Sequence, residues 1–485
     1  MSSTLTTSGL ITPLYPHQNE GLRRYLAAER RLYLQWGMGA GKTLGTLAIL
    51  DHDRPKTALV VCPKSVLPVW ESQVRIHTDG WIKTAAPLAG TLKKRAAAAA
   101  HFTGRTCPIS DPPGTVRMVI VNYEAFWRSE MGKLVLNEPW GIIVYDEAHR
   151  LKAPGGKASR FATQLRKKAR AILMLSGTMM PHSPLDAYAQ IRALDPTIFG
   201  HTFAGFRSQY AVLVDQTRKD GRHYPQIMGY RNLDHLAECL APIMHEVRTE
   251  DVVDLPEESD IVLPVVLPPV AQRIYDQLAA TFIAGVGSGV VTASNALVRL
   301  LRLQQLTGGW LPVENDATGE IASTEIHTGK QDALAEFLDS LPGEDSEEGP
   351  ERVAVFCRFH ADLDSVHKAA ILARRRSWEL SGRRHDISGC WDHPGSVGAI
   401  QIKSGGLGID LSAAKYAVFY SVGNISPGDY QQARRRVRRP NSKGPRVFYY
   451  HLACVNTVDE VCYKAIASRQ SVIDKVLDWA RKGGE

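Results

Sequence analysis

Short apolar runs recur along the first third of the chain, with room for a helix between each pair. They are Leu32–Trp36 (LYLQW), Ala58–Pro63 (ALVVCP), Val116–Asn122 (VRMVIVN), Gly141–Tyr145 (GIIVY) and Ala171–Gly177 (AILMLSG). Nearly all their positions are apolar and many are β-branched. Such runs do not alternate with polar residues, so they suit strands covered on both faces, as in a parallel sheet. Helical segments such as Leu44–Leu50 fall between them, and the alternation predicts a doubly wound α/β lobe. A second series follows: Arg352–Phe359, Val397–Ile402, Tyr416–Tyr420 and Arg446–Leu452. It predicts a second lobe of the same class.

Between the two series the pattern changes. A stretch over roughly 183–250, carrying Phe199, Phe203, Phe206 and Tyr210, reads as a helical insertion packed on the first lobe. LPEESD (Leu255–Asp260) reads as a linker, and a helical block follows near 268–308. The expected organisation is a flexible tail over 1–13, a first lobe over 14–250, a linker and helical protrusion over 251–325, a second lobe over 326–465 and a C-terminal helix over 466–485. The Ala96–Ala100 run is expected on a helix surface.

Composition narrows the class. At 485 residues the chain is too long for one core, and 44% hydrophobic with 22% charged residues is ordinary for a globular protein. No apolar run approaches the roughly eighteen residues a membrane span needs. The start, MSSTLTTSGL, lacks the basic-then-apolar pattern of a secretory signal. The seven cysteines form no C-x2-C pair, which argues against a zinc ribbon, and their dispersal suits a reducing compartment. Cys390 and His393 have ligand-like spacing, but one pair does not close a tetrahedral site. A net charge of +8 permits nucleic-acid binding without requiring it.

Three segments carry chemistry. WGMGAGKT (Trp36–Thr43) lies between a strand and a helix. Gly37, Gly39, Ala40 and Gly41 leave backbone N–H groups to wrap phosphate oxygens, Lys42 suits the β- and γ-phosphates, and Thr43 suits magnesium. The strict pattern has glycine where this chain has Trp36. Asp146 and Glu147 of DEAH follow GIIVY, at the strand end where α/β sheets bind ligands. Asp146 suits magnesium, and Glu147 suits orienting and deprotonating a water. In QARRRVRR (Gln432–Arg439), Arg436 and Arg439 lie three apart, so a helix puts them on one side, where they can meet charge developing in phosphoryl transfer. The alternative is a basic helix facing DNA or solvent. Trp70, Trp140 and Trp310 read as packing residues before stacking platforms.

These blocks, in this order, resemble the Swi/Snf-type branch of helicase superfamily two over about residues 14–465. LYPHQNEGL (Leu14–Leu22), LVVCPKSVLPVWESQ (Leu59–Gln73), VYDEAHRLKAPGGKAS (Val144–Ser159), LSGTMMPHSPLDAYAQIRALDP (Leu175–Pro196), VRTEDVVDLPE (Val247–Glu257), IQIKSGGLGIDL (Ile400–Leu411), QQARRRVRRPNSKG (Gln431–Gly444) and VNTVDEV (Val455–Val461) carry the resemblance. It implies two RecA-like lobes with ATP and Mg2+ between them, and Gln18 as the residue that reads adenine. Gly408 and Asp410 would line the nucleotide cleft, and Arg436 and Arg439 would serve as arginine fingers. Lys64, Ser176, Thr178, Ser404 and Gly405 would face nucleic-acid phosphates. The chain departs from the family at Trp36–Gly37, at Met179 where the third block usually has proline, and at Arg435 and Val437. The implied activity is ATP-driven translocation of a monomer along duplex DNA. A strand-separating DNA or RNA helicase and an ATP-gated DNA-binding protein stay open as alternatives. The small size points to a bacterial or phage protein of DNA repair, replication or recombination in the cytoplasm, or in the nucleus of a eukaryote.

Overall fold

The computed structural model describes residues 9–468, apart from 38, 87–90, 105–109, 218–222, 253, 288–292, 315–320, 343–348, 385, 387–388, 403–408, 424 and 441. It divides into two compact units, Met1–Asp254 and Leu255–Glu485.

In the first unit the apolar runs are strands of one parallel sheet. They are β1 (Arg31–Trp36), β2 (Thr57–Cys62), β4 (Val116–Asn122), β5 (Trp140–Asp146) and β6 (Ala169–Leu175), joined by β3 (Ile82–Ala85), which no apolar run marked. An antiparallel hairpin follows, β7 (Ala211–Thr217) and β8 (His223–Tyr230), before β9 (Met244–Val247) returns to the sheet. The order is β3-β4-β2-β5-β6-β1-β9. The period-two geometry of a strand sends neighbours to opposite faces. Tyr33, Leu59, Val61, Val119 and Ile143 enter one core, and Leu32, Leu34, Val60, Ile120 and Val144 enter the other. Helices Pro16–Ala27, Lys42–Asp53 and Leu67–His77 cover the second of these cores, through Leu22, Leu47 and Trp70. Helices Ser129–Asn137, Lys157–Leu165 and Ala187–Leu194 cover the first, through Val135, Leu165 and Ile191. Phe206 packs on Tyr188 with ring centroids 5.2 Å apart, which docks the aromatic stretch on this lobe.

The second unit repeats the class. Its strands are β10 (Glu257–Val265), a hairpin of β11 (Trp310–Glu314) and β12 (Ile321–Glu325), β13 (Val353–Cys357), β14 (Ser377–Leu380), β15 (Val397–Gln401), β16 (Tyr416–Phe419) and β17 (Arg446–Cys454). The parallel sheet runs β10-β17-β16-β13-β15-β14. Tyr275 of helix Pro269–Gly287 and Leu303 of helix Ala293–Thr307 join its core, so the helical block belongs to this unit.

Several expectations change. The region near 183–250 is not purely helical, because it holds the β7–β8 hairpin and a sheet strand. LPEESD runs into β10, which pairs with β17 from Glu257↔Arg446 to Val265↔Cys454. An edge strand keeps one side open, so it carries polar residues and even Pro264, and reads as a linker. Ala96 and Ala99 are buried, because alanine lets helix Leu92–Phe102 lie close to its neighbours. The final helix is Val458–Ala467, and its expected continuation lies outside the described residues. Among the described residues no helix is long and apolar enough to cross a membrane.

Candidate nucleotide and nucleic-acid sites

The glycine loop leaves β1 and enters helix Lys42–Asp53, whose N-cap Gly41 has φ 72°. That left-handed backbone favours glycine, and a Cβ there would sit 2.3 Å from Gln18 Nε2. Lys42 donates to Trp36 O at 2.9 Å and Gly37 O at 3.1 Å, which holds its ammonium over the loop. Gln18 is fully buried; its Nε2 donates to Gly41 O at 3.1 Å and its Oε1 accepts from Tyr15 N at 2.9 Å. His17 Nε2 donates to Ala40 O at 2.8 Å. Both residues of the His17–Gln18 pair therefore brace the glycine loop. Trp36, the departure from the glycine pattern, is fully buried and donates to His245 Nδ1 at 3.2 Å. Gly37 N donates to Val247 O at 2.9 Å, so the end of β9 is fastened to the loop.

The DEAH block sits at the C-terminal end of β5. Asp146 is buried; its Oδ2 accepts from Trp70 Nε1 at 2.9 Å and its Oδ1 from Glu147 N at 3.0 Å. Glu147 holds φ 53°, a left-handed conformation costing a non-glycine residue about 1–2 kcal/mol. His149 Nδ1 lies 3.2 Å from Glu147 Oε2 and 3.1 Å from Ser176 Oγ. Burial, and then the charge of Glu147, raise the Asp146 carboxyl to about 6. Burial also pushes Glu147 up, but the His149 hydrogen bond and the charge of Lys42 outweigh it and bring it below the usual carboxylate range. Asp146 and the Thr43 hydroxyl offer the hard oxygen donors that Mg2+ takes. The Asp146 and Glu147 carboxyls adjoin at this strand end, and a divalent cation would offset their charge, so these residues fit the ion.

The residues expected to face nucleic acid separate. Lys64 and Thr178 are exposed at the ends of β2 and β6. Ser176 is fully buried; its hydroxyl donates to Thr178 O at 2.9 Å and meets His149, so it links the third block to DEAH and does not face solvent. Ser404, Gly405 and Gly408 lie outside the described residues. Trp70, Trp140 and Trp310 are all buried and offer no face for stacking.

In the second unit the arginine block forms helix Pro427–Val437, N-capped by Ser426 Oγ accepting from Asp429 N at 3.0 Å. The helix stops at Val437, so Arg439 is not on it, contrary to the helical spacing. Pro440 disfavours helical backbone at the residue before it, which ends the helix early. Arg436 is 3% exposed. Arg439 donates to Ile409 O at 3.0 Å and pairs with Asp410 at 3.4 Å. Asp410 also accepts from Ser412 N at 2.9 Å. Burial lowers the Arg439 pKa, and the Asp410 carboxylate works against that shift. Arg434 is structural: it pairs with Asp260 and Glu258 of β10 and stacks 4.0 Å from the Tyr449 ring.

Sequence reasoning missed Trp70, His17, His149 and His245 as supports of the site. The signal for Trp70 and His17 was their place inside the family-like blocks. His245 lay outside any block.

Residues 17–307 match the SNF2-related domain model. A relative from Caenorhabditis elegans, "SWI/SNF-related matrix-associated actin-dependent regulator of chromatin subfamily A-like protein 1 homolog", is 25% identical over 98% of this chain and 63% of its own length. "Putative protein p41" of Acyrthosiphon pisum secondary endosymbiont phage 1 is 23% identical over 91% of this chain and 93% of its own. The mouse "DNA annealing helicase and endonuclease ZRANB3" is 24% identical, and the chain spans 41% of its length. A solved "Sulfolobus solfataricus SWI2/SNF2 ATPase core in complex with dsDNA" is 20% identical, with a TM-score of 0.43 over 100% of this chain and 97% of that one.

Proposed function

The chain belongs to the SNF2-related domain family, and from that premise we propose that it is a DNA-dependent ATPase that moves along duplex DNA without full strand separation. The observation that carries the proposal is the chain of contacts from Glu147 to Thr178. Lys42 and Glu147 share one end of the first sheet, and His149 joins Glu147 to Ser176, whose hydroxyl holds Thr178. A group that activates water is thus wired to an exposed polar residue suited to a phosphate backbone. Backbone contacts carry little sequence information, which suits a motor that holds any sequence.

In this reading the loop N–H groups and Lys42 bind the triphosphate, and Gln18 and His17 keep the loop in shape. Thr43 and Asp146 would hold magnesium, which when bound would supply positive charge against the triphosphate. Trp70 fixes which Asp146 oxygen is available. Glu147 would orient and deprotonate the attacking water, with His149 beside its carboxylate. By the family resemblance, Arg436 and Arg439 would serve as the arginine fingers. Replication, repair or recombination is the setting that fits.

The test is steady-state ATP hydrolysis with no nucleic acid, duplex DNA, single-stranded DNA or RNA, with Lys42→Ala as control. Duplex stimulation that the control abolishes supports the proposal. Preference for single strands or RNA moves the reading to a helicase. No stimulation by any nucleic acid overturns it.

A further inference from the structure

We propose that a cavity of about 220 Å³ in the first unit is an anion site for one phosphodiester of bound nucleic acid. This rests on the DNA-dependent reading above.

The cavity opens between helices Lys157–Leu165 and Ala187–Leu194, beside Pro154. One helix gives it Ser159, Arg160 and Thr163, and the other gives Tyr188 and Arg192, each set at the three- and four-residue spacing of a single face. The Ser159 hydroxyl donates to Gly156 O at 3.1 Å and the Thr163 hydroxyl to Ser159 O at 2.9 Å, so neither has a proton for a guest. The guanidinium groups do. Among the described residues neither Arg160 nor Arg192 meets a carboxylate or donates a side-chain hydrogen bond. Tyr188 is fully buried, and its hydroxyl has no partner there either.

Two arginines lining one small hollow repel each other unless an anion lies between them, and their planar forks match phosphate. The hollow falls below the roughly 300 Å³ at which sites for whole small molecules begin, so a nucleotide does not fit and one phosphoryl group does. Arg160 is exposed at the rim and Arg192 half-buried, as a passing strand requires.

The Lys157–Leu165 helix continues from the DEAH block, and the Ala187–Leu194 helix continues from the Ser176–Met179 turn. Gln190 grips Met179 O at 2.8 Å. A phosphate drawing Arg160 and Arg192 together therefore acts on the two segments that carry Glu147 and Thr178.

The experiment measures duplex-DNA affinity against salt concentration for the full chain and for Arg160→Gln, Arg192→Gln and the double variant. Inorganic phosphate is titrated by thermal shift in parallel. For the double variant we expect affinity down about tenfold and the log–log salt slope shallower by about 0.9 for each phosphate no longer neutralised. DNA-free ATP hydrolysis stays unchanged, and Arg192→Lys recovers part of the affinity. Phosphate raises Tm in the parent chain only. Equal affinity and slope in parent and double variant overturn the site while leaving the proposed function standing. If the parent chain binds no DNA, the proposed function fails. Phosphate protection that disappears only in the variant then keeps an anion site and overturns its assignment to a phosphodiester.

Discussion

Trp70 and Trp36 are both fully packed, yet they bear on the site differently. The Trp70 indole donates to Asp146 Oδ2 at 2.9 Å, and Glu147 N takes Oδ1, so the carboxylate cannot rotate. A hydrogen bond to a charged group contributes about 1.5–3 kcal/mol. Trp70→Phe keeps a buried ring but loses the donor. We expect kcat to fall about tenfold or more on that energy scale, with a higher Mg2+ requirement and a Tm lower by a few degrees, because a buried carboxyl loses its donor. An unchanged Mg2+ titration would remove Trp70 from the site. Trp36 stands where the strict phosphate-loop pattern has glycine. Its ring fills space that Gly21 and Gly45 leave open, since a Cβ at either would come within 2.5 or 2.6 Å of it. Restoring the glycine of the strict pattern should therefore harm this chain. Trp36→Gly opens a cavity, and urea denaturation should report a loss of about 3–5 kcal/mol.

The elements divide by how much of each is covered. Central strands such as β2 and β5 are buried on both faces, so Leu59–Val61 and Ile142–Val144 announce themselves as apolar runs. Edge strand β10 does not, because most of its positions are exposed or half-buried, and β14 does not, because it is four residues long and buries a glutamate. Glu379 illustrates this: it lies in β14 with its side chain buried, tied to Arg383, Ser381 and His367. No hydrophobic pattern marks such a residue. Nor does spacing reveal where a helix stops, and Arg439 was placed on a helix that Pro440 ends. Glu379 also carries a pH dependence. Burial alone would raise its pKa, but the bonds from Arg383, Ser381 and His367 hold it down at about 2. A depressed folded pKa gives stability that is complete above the unfolded carboxylate value and is lost as pH falls through the folded one. Glu379→Gln should therefore destabilise the second unit clearly at neutral pH and much less near pH 3, on the same linkage. A gap between the two proteins that stays constant across that range in denaturant titrations would refute the assignment.

At the scale of the whole molecule, the phosphate loop, the acidic pair and the arginine block could be read as residues. Their supports could not, because they come from distant segments: His245 reaches Trp36 across 209 positions. The same holds for the Arg160–Arg192 cavity, whose two arginines belong to helices separated by a strand. With a net charge of +8, duplex affinity should fall steeply with added salt. Glu147→Gln should bind ATP and DNA and hydrolyse nothing, which separates a motor from a protein that only needs to bind. Stimulated ATPase activity alone does not establish movement. The most direct measurement is displacement of a third strand from a triplex placed at one end of a long duplex. Translocation predicts displacement that needs ATP, lags longer as the duplex track lengthens, and is absent in Glu147→Gln. Displacement without ATP hydrolysis, or none alongside strong duplex-stimulated ATPase activity, would contradict it.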